Sequence, residues 1–173
     1  GQGLDFNEDG GTDYINCSNS EEFNLNKKMT LEAWIKLVYD KSTGCCPYII
    51  SKPLDVSPWT VYSLQLSNGN ITARLTTIDS GSKSVTTDWK IHNNTWYHLT
   101  SVYNGTHLIF YVNGAMQKNP VATTGIINTT DNDLYIGAWK PSNSAINGTI
   151  DEVRLWSRAL TPEEINSSYQ GNV

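Results

Sequence analysis

The chain has 173 residues and a formal net charge of -5, with 38% hydrophobic and 17% charged residues, which fits one domain large enough to enclose a core and is short for two. Its 12 Lys and Arg are scattered among 17 Asp and Glu, which excludes the basic footprint of a nucleic-acid binder and argues against docking on an anionic membrane. No apolar run approaches the roughly 18 to 20 residues of a transmembrane helix. Residues 1–173 therefore read as a single soluble domain, and the opening Gly1-Gln2-Gly3 without Met reads as a module cut from a longer or processed precursor.

Taken in chain order, period-two apolar alternation predicts strands at residues 4–6, 12–16, 29–37, 48–52, 60–66, 71–78, 84–91, 96–103, 107–112, 134–137 and 148–156. In 29–37, Leu31, Ala33, Ile35 and Leu37 share one face, and Thr30, Glu32, Trp34 and Lys36 share the other. Asn68-Gly69, Asn104-Gly105 and Asn113-Gly114 fall between apolar runs, and Asn-Gly tolerates positive φ at both centres of a type I′ hairpin turn. One helix is expected: Thr161-Pro162-Glu163-Glu164 reads as a capping box with Pro at the first helical position, and the helix should run to about Tyr169. The fold class is all-β, an antiparallel two-sheet sandwich with one short C-terminal helix.

Seven Asn-x-Ser/Thr sequons, at Asn16, Asn70, Asn93, Asn104, Asn128, Asn147 and Asn166, point to an extracellular or cell-surface glycoprotein if the chain meets a glycosylating machinery. Three cysteines, Cys17, Cys45 and Cys46, leave an odd one out, and no His stands at zinc-ligand spacing. In an oxidising compartment Cys17 is expected to bond one of the adjacent pair, with a strained Cys45–Cys46 bridge as the alternative.

Leu4-Asp5-Phe6 followed by Asp13-Tyr14-Ile15, then Thr30 to Lys36, Trp96-Tyr97-His98-Leu99, Tyr111-Val112-Asn113-Gly114, Leu134-Tyr135-Ile136-Gly137 and the run G-T-I-D-E-V-R-L-W-S-R-A-L from Gly148 together resemble a laminin G-like module. Such modules belong to the concanavalin A-like lectin/glucanase superfamily. The resemblance covers nearly the whole chain and implies a jelly roll of two curved sheets. It also implies a choice of functions, because sugar-binding modules, adhesive modules and glycoside hydrolases share this scaffold.

Hydrolysis would need two carboxylates about 5 to 5.5 Å apart in a retaining enzyme, and the E-x-D-x-x-E pattern of the laminarinase-like branch is missing here. Asp151 and Glu152 are neighbours, expected to point to opposite faces, and Glu163-Glu164 are explained by capping. None of His92, His98 and His107 adjoins a nucleophile motif. The expectation is no enzyme, with a glycoside hydrolase as one alternative and a ligand-free structural spacer as the other.

Resemblance to related jelly rolls also implies calcium on the sandwich, held by Asp151 of the last strand and by the N-terminal loop through Glu8, Asp9 and Asp13, oxygen ligands of the kind a hard cation takes. The competing reading makes these turn residues. Glu32 and Arg154 lie among apolar strand residues and are expected to form a buried pair beneath Trp34 and Trp156, with a concave sugar-binding patch as the alternative. Trp96 and Phe110 are expected in the core, and His98 as a hydrogen-bonded structural residue. Loop aromatics are less committed to packing, which makes Trp139, Trp59, Tyr39 and Tyr48 the candidate contacts for a glycan or a surface-protein partner. Other domains of the same precursor are expected neighbours.

Overall fold

The computed structural model describes residues 3–6, 13–39, 46–141 and 144–171. Its strands are β1 (Leu4–Phe6), β2 (Ile15–Asn16), β3 (Met29–Leu37), β4 (Tyr48–Pro53), β5 (Thr60–Ser67), β6 (Asn70–Thr77), β7 (Gly81–Lys90), β8 (Trp96–Tyr103), β9 (His107–Val112), β10 (Ala115–Met116), β11 (Val121–Ala122), β12 (Tyr135–Ile136) and β13 (Gly148–Trp156), followed by helix α1 (Pro162–Tyr169). They form two antiparallel sheets, one ordered β1-β13-β3-β8-β9-β10 with β11 also on β9, the other β2-β12-β4-β5-β6-β7. β10 and β11, too short for a periodicity signal, are the additions to the expected set.

The hairpins follow the turn chemistry with one exception. Asn68 and Gly69, like Asn113 and Gly114, both take positive φ, as a type I′ turn requires. At 104–106 only Gly105 does. Asn104 Oδ1 accepts from the N–H groups of Thr106 (3.0 Å) and His107 (2.9 Å), so its side chain builds a wider Asx loop in place of the tight turn.

Inner faces of the sheets supply the core, with Leu31, Ala33, Ile35 and Leu37 of β3 meeting Ile50 of β4, Leu64 and Leu66 of β5, and Ala73 and Leu75 of β6. Part of the outer face of the seven-stranded sheet is covered by α1. Its capping box forms as read, Thr161 Oγ1 accepting from Glu164 N–H and Glu164 returning to Thr161 N–H. Ile165 packs with Leu160, Val102 and Tyr111, and Tyr169 stacks on Trp34 at 5.7 Å between ring centroids.

Glu32 is sealed in this layer without its expected partner. Arg154 is the register partner of Glu32, yet its guanidinium bonds Glu152 at 2.6 Å. Glu32 instead accepts the Trp156 indole N–H at 2.9 Å and the Thr100 hydroxyl at 3.5 Å, with His98 Nε2 3.6 Å away. Reaching solvent costs the half-exposed Arg154 less than entering a closed layer, which is why the pair does not form.

His98 is nearly fully buried, its backbone N–H donates to Asn113 Oδ1, and its Nδ1 has no partner. Burial, and secondarily the positive field of Arg154, push its pKa down to about 4. An unfolded imidazole titrates near 6.5, so below that the unfolded chain takes a proton that the folded chain refuses, and the stability contributed by neutral His98 is lost as the pH falls toward 4. Unfolding free energies measured from pH 7 to 4 should therefore fall less steeply in His98→Gln than in the parent, the difference approaching about 3 kcal/mol at the acid end. Parallel profiles would contradict this account of His98.

Candidate functional site

Unlike the seven-stranded sheet, the six-stranded sheet leaves its outer face uncovered by a helix. In antiparallel register, directly opposed residues share a face. Ser51, Ser63, Arg74 and Ser84 form one row across β4 to β7, and Tyr48, Gln65, Thr72 and Thr86 align in the next. Their partners one position along, such as Ile50, Leu64, Ala73 and Val85, enter the core. This outer floor is polar yet low-lying: Ser51, Ser63, Gln65 and Thr72 are buried. Ser63 donates to Gln65 Oε1 at 3.2 Å, and the Thr72 and Thr86 hydroxyls pair at 2.9 Å.

A groove of about 370 Å³ opens at the Tyr48 end of the second row, lined by Cys46, Tyr48, Trp59, Trp139 and Ser144. Two loops build its aromatic wall. Residues 54–59 fold back through hydrogen bonds from Leu54 N–H to Trp59 O (2.8 Å) and from Trp59 N–H to Val56 O (2.9 Å). Trp59 ends up half-exposed in the left-handed region at φ 73°. The second loop leaves β12 through Gly137, whose positive φ and tight approach to the Phe6 ring (2.5 Å from the position of a Cβ) demand glycine. It then places Trp139, whose carbonyl accepts from Ser51 Oγ at 2.7 Å.

The walls are tied to each other. Trp139 Nε1 donates to Trp59 O at 3.1 Å, the two rings meet edge to face at 6.2 Å, and Lys140 bridges to Asp55 at 2.6 Å while lying over Trp139. Three of the four aromatic candidates from the sequence thus converge. Tyr39 does not line the groove: it packs against the core and over Gly69, with its N–H on Asn93 Oδ1. The floor residues Ser51, Ser63, Gln65 and Arg74 escaped sequence reasoning, although polar side chains at period two within apolar strands are a signal that could have found them.

A second cleft, about 330 Å³, lies on the seven-stranded sheet and is lined by Trp34, Trp96, Asp151 and Glu152. It corrects two expectations. Trp96 is 39% exposed, because its register partner Lys36 lies on the outer face of β3. Asp151 and Glu152 do not oppose one another: an extra residue in β13 between the Asp151–Trp34 and Arg154–Glu32 pairs forms a bulge, with Glu152 at φ 50°. Both carboxylates therefore border one cleft. Asp151 Oδ1 accepts Glu152 N–H at 2.8 Å, and Glu152 is held by Arg154.

Of the expected calcium ligands, Glu8 and Asp9 lie outside the described residues. Asp13 is exposed ahead of β2. β1 puts Leu4 opposite Ile150 and Phe6 opposite Gly148, so Asp151 lies three residues, about 10 Å, from where the loop departs. Among the described residues no three His, Cys, Asp or Glu side chains gather around a common point.

Cys45 is likewise outside the described residues. Cys17 is a free thiol, its pKa raised by burial, so the expected bridge from it is not made. The reason is register: Asn16 and Ser51 both face Tyr135 of the intervening β12. Cys17 is therefore level with Lys52, about 9.5 Å across and on the order of 20 Å along the strand direction from Cys46, far beyond disulfide reach. Among the sequons, Asn70 spends its amide nitrogen on the Thr87 and Trp89 carbonyls (2.7 and 3.1 Å), and Asn16 spends its own on Asp133 at 2.9 Å.

A family model described as the Concanavalin A-like lectin/glucanases superfamily matches residues 9–166. No curated protein sequence is similar to the chain. Among solved structures, the binding domain of Paraclostridial Mosquitocidal Protein 1 is similar at a TM-score of 0.75 and 18% identity, over 98% of this chain and 42% of that one. The receptor binding domain of the botulinum neurotoxin C/D mosaic serotype is similar at 0.69 and 20%, over 93% and 41%. The botulinum neurotoxin serotype D ligand binding domain, in complex with N-acetylneuraminic acid, is similar at 0.67 and 20%, over 94% and 41%. The chain spans less than half the length of these neighbours, which are binding domains and share its jelly-roll sandwich. By the extent of the family match and by its two-sheet fold, the chain belongs to the concanavalin A-like lectin/glucanases superfamily.

Proposed function

We propose that the chain is a non-catalytic recognition module that binds a glycan in the groove above the six-stranded sheet, as one part of a larger extracellular or surface protein. The observation that carries this reading is the groove itself: two tryptophans and a tyrosine line it with Cys46 and Ser144, Tyr48 belonging to a polar sheet face of serine, threonine and glutamine, and no described lining residue is acidic. Aromatic faces suit the apolar CH surfaces of a sugar ring, and fixed hydroxyl and amide groups suit its hydroxyls. The fold neighbours support it as binding domains of receptors and ligands, one of them in complex with a sugar.

Interface energy concentrates in a few buried aromatics, and truncating one typically costs about 2 kcal/mol or more, roughly 30-fold in affinity. A glycan array followed by titration calorimetry should give a ligand whose affinity falls by about that factor in Trp139→Ala, while Tyr39→Ala binds as the parent does. Equal affinity in parent and Trp139→Ala would overturn the groove as the site. Binding to no glycan, with a surface protein captured through the same groove, would replace the glycan by a protein partner.

Glycoside hydrolysis is the second reading, favoured by Asp151 and Glu152 flanking one cleft between Trp34 and Trp96. The Arg154 and backbone contacts of these acids leave little freedom for proton transfer, and the expected result on a panel of β-glucans and galactans is no turnover. Turnover abolished by Glu152→Gln would establish the enzyme instead.

Calcium between the acidic N-terminal loop and the last strand is a separate proposal, carried by Glu8, Asp9, Asp13 and Asp151. A ligand bound only by the folded state raises its stability, so a Tm lowered by EDTA is the expected outcome, and an unchanged melt removes the ion.

A further inference from the structure

We infer that the groove takes an acidic sugar, with the guanidinium of Arg74 as the partner of its anionic group; the inference rests on the groove being the binding site. Of the three arginines, Arg154 bonds Glu152 at 2.6 Å and Arg158 bonds Glu164 at 2.8 Å. Arg74 is the exception. Among the described residues it meets no carboxylate, and its one hydrogen bond is a long one, 3.4 Å from Nη1 to Ser82 Oγ. It is half-buried on β6 in the row Ser51–Ser63–Arg74–Ser84, on the face that carries the groove.

Three further observations place this charge in relation to the groove. Arg74 acts electrostatically on the hydroxyl of Tyr48, a groove-lining residue, so its field reaches the cavity. The described lining contains no acid to compensate it. The other cation at the rim, Lys140, is already taken by Asp55. Beside Arg74, Gln65 accepts from Ser63 through its Oε1, which turns its amide donors toward the remaining space of the floor. The chain as a whole is acidic, so a solitary guanidinium on a polar, partly desolvated face is not explained by general surface charge.

A half-buried charge costs desolvation free energy that an ion partner recovers, and guanidinium is the side chain suited to a carboxylate held bidentately. The ligand class that fits aromatic walls, hydroxyl-matching groups and one unmatched cation is a saccharide bearing a carboxylate, such as a sialic or uronic acid.

The test compares sialyllactose and oligogalacturonate with their carboxyl-reduced forms, in which only the charge is removed. The parent should bind at least one acidic saccharide on the order of tenfold more tightly than its reduced form. Raising the salt from about 50 to 500 mM should shrink the advantage, as expected for a screened ion pair. Arg74→Gln should abolish the advantage while keeping affinity for the reduced form, and Arg74→Lys should restore part of it. Trp139→Ala should weaken both forms together. Melts of each variant identify any loss that is merely unfolding. Equal affinity for acidic and reduced saccharides in the parent, or an acid preference unchanged in Arg74→Gln, would overturn the inference and leave the glycan groove standing. Preference for a sulfated over a carboxylated saccharide would overturn the carboxylate assignment. Failure of every saccharide, acidic or neutral, would defeat the groove reading and this inference with it.

Discussion

Two segments 80 residues apart are pinned to one another by the hydrogen bond from the Trp139 indole to the Trp59 carbonyl, and the open groove depends on that tie. Each loop alone is a surface excursion with little packing of its own. Joined by edge-to-face rings, a Lys140–Asp55 bridge and the Ser51 hydroxyl beneath, they become a wall of fixed height above the sheet. An exposed ion pair such as Lys140–Asp55 contributes little, because solvent screens it. The indole bond and the edge-to-face ring contact add to that tie. Preorganised aromatics matter for recognition because ordering them at the moment of binding would subtract from affinity.

The two outer faces of the sandwich resolve the same problem in opposite ways. On the seven-stranded sheet, α1 covers the surface beside the Trp34–Trp96 cleft with Ile165 and Tyr169, and the carboxylate of Glu32 beneath is satisfied by Trp156 and Thr100. On the six-stranded sheet the polar groups stay low and bond one another or the loop above, Ser63 to Gln65, Thr72 to Thr86, and Ser51 to the Ala138 and Trp139 carbonyls. A face that is polar, recessed and walled by aromatics has the attributes of a binding surface. A face that is polar and sealed has those of a structural one. Arg74 stands on the open side, without a carboxylate partner among the described residues.

Much of this is legible in the sequence. Period-two alternation located the long strands, because one face of each is core; the capping box located α1 to the residue; and Trp59, Trp139 and Tyr48 stood out as aromatics near loop ends. What escaped depends on geometry that composition does not encode. One extra residue in β13 turned Asp151 and Glu152 to a single cleft, and Arg154, still in register with Glu32, bonds Glu152 at the solvent edge. An intervening strand separated Cys17 from Cys46. The Asn104 side chain overrode the tight turn that its dipeptide suggests. Tyr39 belongs to the other category, a loop aromatic drawn onto the glycine of a neighbouring hairpin, a packing partner distant in sequence.

Indole N–H resonances of the six tryptophans report each candidate surface separately, and following them while a bound glycan is titrated is the most direct test of where recognition occurs. The account predicts that the signals of Trp59 and Trp139 shift together with a common dissociation constant while those of Trp34, Trp96 and Trp156 stay in place. Shifts confined to Trp34 and Trp96 would move the site to the opposite sheet and contradict it.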